Sequence, residues 1–167
     1  MALFGWPLVA MAATNFSGSW VQDNSKSDRV PEPVWLTRAP AGGRGVGGRG
    51  GGPGGRGNGE VVMNVQQDAS SLQVAGPQGA TRKYTLDGKP YTSATETGVE
   101  KATLTANLQG DTLVIATTRP YGGMPGNVTL QVKEVWALSP DGKILTITTT
   151  HTSPAAEKNY KQVFNRK

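Results

Sequence analysis

The chain has 167 residues, enough for one domain with a substantial core, and it contains one histidine and no cysteine. These counts exclude disulfides, thiolate metal sites and any multi-histidine metal site within one chain. Charged residues make up only 17% while glycine occurs 23 times, which favours an all-β protein rich in turns over a helical one. The formal net charge is +5.

The N-terminal segment is apolar from Ala2 to Ala13 and contains Ala10-Met-Ala12, a small-x-small pattern typical of a signal-peptidase site. The apolar run is too short to cross a bilayer, and no Lys or Arg precedes Lys26. We therefore treat residues 1–13 as either a signal-peptide remnant or a strand that adds to a neighbour's sheet edge. The first alternative predicts a secreted or periplasmic protein, and residues 14–167 are predicted to form a single β domain.

The first strand is predicted within Asn15-Phe-Ser-Gly-Ser-Trp20-Val-Gln, which is followed by Asp23-Asn-Ser-Lys26-Ser. This opening resembles that of small secreted bacterial proteins of lipocalin-like build, most of them uncharacterised, several of which carry a Gly/Arg-rich insertion after it. Gly18-Ser-Trp20 also matches the G-x-W of the first lipocalin strand. The resemblance implies that Trp20 plugs the barrel floor and that Arg166, from the last strand, packs over it. A buried Trp at an edge of the core would explain the same motif.

A Gly/Arg-rich insertion is predicted at about residues 38–59, and it holds Arg38, Arg44, Arg49 and Arg56. Removing these four charges from the formal +5 leaves +1, so the rest of the chain is nearly neutral. Such a segment has too little apolar surface to offset its ordering entropy, so we predict that it is flexible. RNA-binding Arg-Gly tails usually interleave aromatic residues, which are missing here, so we do not expect a nucleic-acid partner.

The remainder of the chain repeats a plan of strand, tight turn and strand. The turn pairs Asp87-Gly88, Gly110-Asp111 and Asp141-Gly142 separate segments of alternating apolar and polar residues. We predict eight or nine strands in an antiparallel up-and-down meander, closed or curled into a lipocalin-like barrel, because closure removes unpaired edges. The segments are 61–67, 72–75, 81–86, the short edge segment 91–97, 99–108, 112–118, 128–138, 143–151 and 158–166.

Strand periodicity places several polar side chains on the inward face. Glu134 has the same parity as apolar residues of its strand, and a buried carboxylate needs a partner, which Arg82 or His151 could supply. One hypothesis is that a set of inward residues lines a cavity for a small ligand. The alternative places Glu134 at a bulge or at the barrel mouth, in contact with water, with the others as ordinary core. The residues of the ligand hypothesis are Arg82, Tyr84, Glu134, Trp136, His151 and Tyr160.

The sequence offers no support for catalysis or for a cofactor. It contains no nucleophile elbow and no P-loop, and a Glu134–His151 acid/base pair would rest on inferred proximity alone. The sequence therefore predicts a secreted, non-enzymatic β-barrel binding module for a small, partly apolar ligand, without a membrane span. The alternative is a structural subunit of an extracellular assembly or fibre that self-associates through the N-terminal segment.

Overall fold

The architecture is described from a computed structural model, for residues 14–29, 60–76, 81–94, 101–120 and 129–167. Alternating side chains and glycine turns produce ten strands in these residues. They are β1 (Gly18–Gln22), β2 (Val62–Gln67), β3 (Ser71–Ala75), β4 (Thr81–Thr85), β5 (Tyr91–Ala94), β6 (Lys101–Gln109), β7 (Thr112–Pro120), β8 (Thr129–Leu138), β9 (Ile144–Thr152) and β10 (Glu157–Arg166).

The strands form one antiparallel sheet in the order β4-β3-β2-β1-β10-β9-β8-β7-β6-β5. The meander is up-and-down, and β10 returns to pair with β1, where Trp20 lies opposite Arg166. The connection between β4 and β5, the two outer strands in this order, is joined to β6 by an isolated bridge between Asp87 and Asn107, next to a 3.0 Å hydrogen bond from the Gly88 N–H to the Ala106 carbonyl. The sheet is therefore curled until the end of β4 approaches β6, while β4 and β5 form the two edges of the sheet in the described residues.

The predicted fold class is confirmed, and the strand number is ten, one more than the upper predicted value. The additional strand is β5, which lies in the 91–97 segment that was predicted only as a short polar edge and was not counted among the eight or nine strands. β7 continues to Pro120, two residues past its predicted end, and β1 begins at Gly18. Residues 1–13, the insertion at 38–59 and the end of the predicted 91–97 segment lie outside the described residues.

Burial alternates along the strands, as expected when one face of a sheet encloses the core. On β8 the inward residues from Leu130 to Trp136 are buried, while Thr129, Gln131 and Lys133 are exposed. The main core cluster consists of Phe16, Trp20, Met63, Val65, Leu72, Val74, Tyr84, Ala102, Leu104, Ala106, Leu113, Ile115, Trp136, Leu145, Ile147 and Phe164. Within the described residues no helix has the length and hydropathy needed to span a bilayer.

The turns that close the barrel at one end follow from glycine conformations. Gly142 has a φ of 67°, a region that disfavours other residues, and the preceding Asp141 carboxylate accepts a 3.1 Å hydrogen bond from the Lys143 N–H. The β4–β5, β6–β7 and β8–β9 turns lie at this end, together with the start of β1. We call it the Trp20 end, and the opposite end, towards which β9 runs, the His151 end.

Candidate functional site

The Trp20 end is closed by a stack of Arg166 on Trp20. The guanidinium carbon lies 4.4 Å from the centre of the indole ring, within the range of a cation–π contact. Arg166 also donates to the carbonyls of Ser17, at 2.9 Å, and Gly142, at 2.8 Å. Gly18 has a φ of 150°, and a Cβ there would lie 3.1 Å from the guanidinium, so only glycine fits beneath the stack. This is the arrangement that the G-x-W resemblance implies.

Phe16 completes the closure ahead of β1. Its carbonyl accepts a 3.0 Å hydrogen bond from the Trp20 indole N–H, and its own N–H donates to the Gln67 side chain at 2.8 Å. Its ring meets Trp136 edge-on, with 6.2 Å between centroids. This geometry is typical of a favourable aromatic pair. The Trp20 end of the barrel is thus filled with aromatic side chains whose buried polar atoms are hydrogen-bonded.

Glu134 is buried beside this aromatic plug, with 3% of its surface exposed. The Trp136 indole N–H, two residues along the same face of β8, donates to its Oε2 at 3.1 Å. Glu134 pairs in regular register with Ile115 on one side and Thr149 on the other. The alternative that places Glu134 at a bulge or in contact with water is therefore wrong, because the pairing is unbroken and the side chain points into the barrel.

Burial raises the pKa of Glu134 to about 7, since removal from water disfavours the charged form. The Trp136 hydrogen bond and the positive charge of Arg82 act in the opposite direction but do not offset the burial. Of the two partners that sequence analysis considers, Arg82 interacts with the carboxyl group. The Glu134 carboxyl group also accepts a hydrogen bond from the Trp136 indole N–H, a contact that the sequence did not predict.

Tyr84 belongs to the same group of charges and dipoles, although it comes from β4. Its side chain is buried, and no hydrogen bond of acceptable geometry reaches its hydroxyl. Burial raises the pKa of Tyr84, the charge of Glu134 raises it further, and Arg82, two residues earlier on the same face, lowers it. We call Arg82, Tyr84 and Glu134 the inner polar cluster.

The exposure of inward side chains rises from the inner polar cluster towards the His151 end. On β8 the exposed fraction is 0% at Trp136 and 8% at Leu130, and on β6 it rises from 0% at Ala106 to 6% at Ala102. Leu130 and Val132 form a small apolar cluster separate from the main core. The inner wall is therefore fully buried at the Trp20 end, and it retains slight solvent exposure at the other end.

His151 and Tyr160 lie at this second end, and both are half-buried. Their rings meet edge-on with centroids 5.2 Å apart. Burial lowers the pKa of His151, and the positive charge of Arg119 lowers it further, so the imidazole favours its neutral form. Its Nε2 is buried without a hydrogen bond. His151 is thus associated with Arg119 and Tyr160.

The inward polar residues that were not among the predicted site residues include Thr117, Arg119, Thr149 and Gln162. Gln162 is buried on β10, opposite Ile147, and its Oε1 has no hydrogen bond. Its parity with Tyr160 and Phe164 is the signal that identifies it. Arg119 has the same parity as Ile115 and Thr117, but the predicted strand ended before it. No group of His, Asp and Glu in the described parts of the chain is arranged to hold a metal ion.

The fold is that of a lipocalin-like β-barrel, and two solved structures are similar to this chain to different degrees. The zebrafish ileal bile acid-binding protein, solved with cholic acid, matches this chain with a TM-score of 0.53 at 16% identity, over 91% of this chain and 98% of that protein. A variant of the fluorescent protein UnaG matches with a TM-score of 0.43 at 15% identity, over 65% of this chain and 72% of that one. The sequence matches no family model and no curated protein.

Proposed function

We propose that the chain is a non-enzymatic binding protein that holds a small, partly apolar ligand in the part of the barrel between the inner polar cluster and the His151 end. The observation that carries this proposal is the inner polar cluster itself. A barrel core built only for stability has no need of a buried Glu134 and an unbonded Tyr84 hydroxyl, each of which opposes folding.

The rest of the wall supports the same function. Apolar residues surround the polar groups, and a few convergent polar groups in an apolar cavity are typical of small-molecule sites. The residual exposure at Leu130 and Ala102 lies on the route from the His151 end to Glu134. The shared fold with a bile acid-binding protein that was solved with cholic acid supports a ligand-binding role.

A reporter dye tests the proposal. 1-Anilinonaphthalene-8-sulfonate is expected to gain fluorescence on binding to the folded protein. Thr149→Trp places an indole on the inner wall beside Glu134, whereas Thr148→Trp adds the same group to the exposed outer face of β9. We expect the first variant to lose at least about tenfold in dye affinity, equivalent to ~1.4 kcal/mol, and the second to bind as the wild type does.

A second pair of inner and outer variants, on β7, keeps the test valid if the first pair does not fold. Thr117→Phe adds bulk to the inner wall, and Thr118→Phe adds it outside on the same strand. Circular dichroism and thermal melts establish that each variant is folded. If the folded wild type does not bind the dye, or if inner and outer variants bind it equally, the proposal is contradicted.

The secreted or periplasmic location and the alternative role as a subunit of an extracellular assembly both depend on residues 1–13. These residues lie outside the described part of the chain, so both remain predictions from sequence. An intact-mass measurement on protein purified from its native host, with electron microscopy of the same sample, tests them. A cleaved, monodisperse monomer would contradict assembly through the N-terminal segment.

A further inference from the structure

We propose that the inner polar cluster recognises an uncharged hydrogen-bonding group of the ligand, an alcohol or a primary amide, and rejects a carboxylate at that position. This inference rests on the proposed function and specifies the chemistry of the ligand's inner end. It concerns the Glu134, Tyr84 and Arg82 side chains, which interact from β8 and from β4.

The charge balance of the cluster argues against an anionic partner. Arg82 supplies one positive charge, and Glu134 already faces it as the neighbouring acid. A ligand carboxylate inserted beside them would make the cluster net negative inside an apolar wall. Like charges brought together in such surroundings cost several kcal/mol, so a carboxylate would enter only if it or Glu134 took up a proton.

The available hydrogen-bonding atoms favour a group that both donates and accepts. The Tyr84 hydroxyl can do either, and no hydrogen bond of full geometry reaches it although Arg82 lies beside it. Glu134 accepts when ionised and donates when protonated. An alcohol or amide can adapt to each of these atoms, whereas an ionised carboxylate can only accept.

The His151 end of the barrel carries a positive charge, that of Arg119, where the inner polar cluster carries the acid Glu134. Arg119 and His151 lie on the two strands that flank β8, opposite Leu130 and Val132, and the charge of Arg119 lowers the pKa of His151. The inner wall of β8 from Glu134 to Leu130 is four residues long, about 13 Å at ~3.3 Å per residue. A chain ligand that spans this length would therefore place one end at the inner polar cluster and the other near Arg119.

Three probes with the same chain and different inner ends test the proposal: 10-hydroxydecanoate, decanoate and decanedioate. Each keeps one carboxylate for the His151 end, so only the group at the inner polar cluster changes. Isothermal titration calorimetry at about pH 8.5, where Glu134 with its pKa of about 7 is ionised, is expected to give the tightest binding for 10-hydroxydecanoate. Decanedioate should bind at least about tenfold more weakly than 10-hydroxydecanoate, since it brings a second anion to Glu134.

Glu134→Gln tests whether the charge of Glu134 causes the preference for an uncharged inner end of the ligand, because glutamine keeps the hydrogen-bonding capacity and removes the charge. It should raise the affinity for decanedioate and leave that for 10-hydroxydecanoate within about threefold, a difference of less than ~1 kcal/mol. The control is Glu60→Gln, which removes one exposed carboxylate that lies 3.7 Å from Lys167. It should not change the order of the three affinities.

Tyr84→Phe provides a second, independent variant if Glu134→Gln unfolds. It should weaken 10-hydroxydecanoate severalfold and leave decanoate unchanged, because only the first probe carries an inner hydroxyl. Equal or tighter binding of decanedioate relative to 10-hydroxydecanoate would overturn the inference and leave the proposed function intact. If neither the three probes nor the reporter dye binds the folded wild type, the proposed function fails and the inference fails with it.

Discussion

The two ends of the barrel differ in whether their buried polar atoms are hydrogen-bonded. At the Trp20 end, the Trp20 indole and the Arg166 guanidinium each donate to backbone carbonyls of neighbouring segments. At the His151 end, the His151 Nε2 is buried without a hydrogen bond, and the same holds for the Tyr84 hydroxyl in the inner polar cluster. A buried polar atom without a partner costs about 1–3 kcal/mol.

Under the proposed function, the difference separates a part of the molecule that contributes stability from a part that contacts a ligand. The Trp20 end can be rigid because its side chains are closely packed and the polar atoms of Trp20 and Arg166 are hydrogen-bonded. An end with unused hydrogen-bonding capacity gains free energy when a ligand supplies the missing partner. Substitutions that are matched between the two ends should therefore have different effects.

The largest expected difference is between two leucine truncations. Leu113→Ala removes a fully buried side chain from the main core cluster and should lower the free energy of unfolding by roughly 3–5 kcal/mol, because it leaves a cavity. Leu130→Ala, in the small cluster with Val132, should lower it by less than about 2 kcal/mol. Urea unfolding measures both, and equal losses would mean that the two ends are packed alike.

The next effect is a pH dependence that arises from Glu134. The folded pKa of about 7 lies above the ordinary 4.5, so the folded state holds the proton more tightly and stability falls as pH rises from about 4.5 to about 7. The loss amounts to about 3 kcal/mol at ~1.36 kcal/mol per unit. Glu134→Gln should remove it, so the variant becomes more stable relative to the wild type at pH 8 than at pH 4.5.

The pH dependence of stability must be compared between the wild type and Glu134→Gln, because His151 also contributes to it. Its pKa is lowered, so it contributes stability that is lost as pH falls below its ordinary value, which is the opposite sign. Since both proteins contain His151, its contribution cancels in the difference. A difference between wild type and variant that does not change across this window would show that Glu134 is not buried as described.

Arg166→Lys tests the closure at the Trp20 end. Lysine keeps the charge but cannot stack on Trp20 and reach two carbonyls at once, so a loss of roughly 1–2 kcal/mol is expected. Lys167→Gln is the matched control, since this exposed residue makes one long ion pair and its loss should amount to less than about 0.5 kcal/mol. Chemical denaturation compares the two variants. Similar small losses would mean that the stack does not hold the end closed.

The smallest effect distinguishes two tyrosines. Tyr84→Phe removes a buried hydroxyl without a partner, so stability should stay the same or rise by up to about 1 kcal/mol. Tyr91→Phe removes a hydroxyl that donates to the Lys83 carbonyl at 3.2 Å across the β4–β5 edge, and should cost about 0.5–1 kcal/mol. Thermal melts of the unliganded proteins test the contrast. A clear destabilisation by Tyr84→Phe would reveal a partner for that hydroxyl.

The strands and turns could be predicted because alternation and Asp-Gly pairs are local signals. The inward direction of Glu134 could be predicted as well, since it has the parity of Trp136. The same argument identified Tyr84 and Arg82 as inward. The Arg166–Trp20 stack followed from a resemblance of short motifs rather than from periodicity.

The remaining features depend on contacts between distant parts of the chain. Tyr84 and Glu134 approach each other across the barrel, and nothing in the sequence gives the strand offset that brings them together. The Trp136 hydrogen bond to Glu134 depends on the rotamers of two side chains. Arg119 was missed because Thr118 ended the clear alternation, although β7 continues to Pro120.

The central claim is that a ligand occupies the inside of the barrel beside Glu134, and a heteronuclear NMR titration with 10-hydroxydecanoate tests it most directly. The account predicts that the largest chemical-shift changes fall on the backbone amides of Thr117, Val132 and Thr149, with small changes at the outward Thr118, Lys133 and Thr148. Changes confined to outward positions, or no changes at saturating probe, would contradict it.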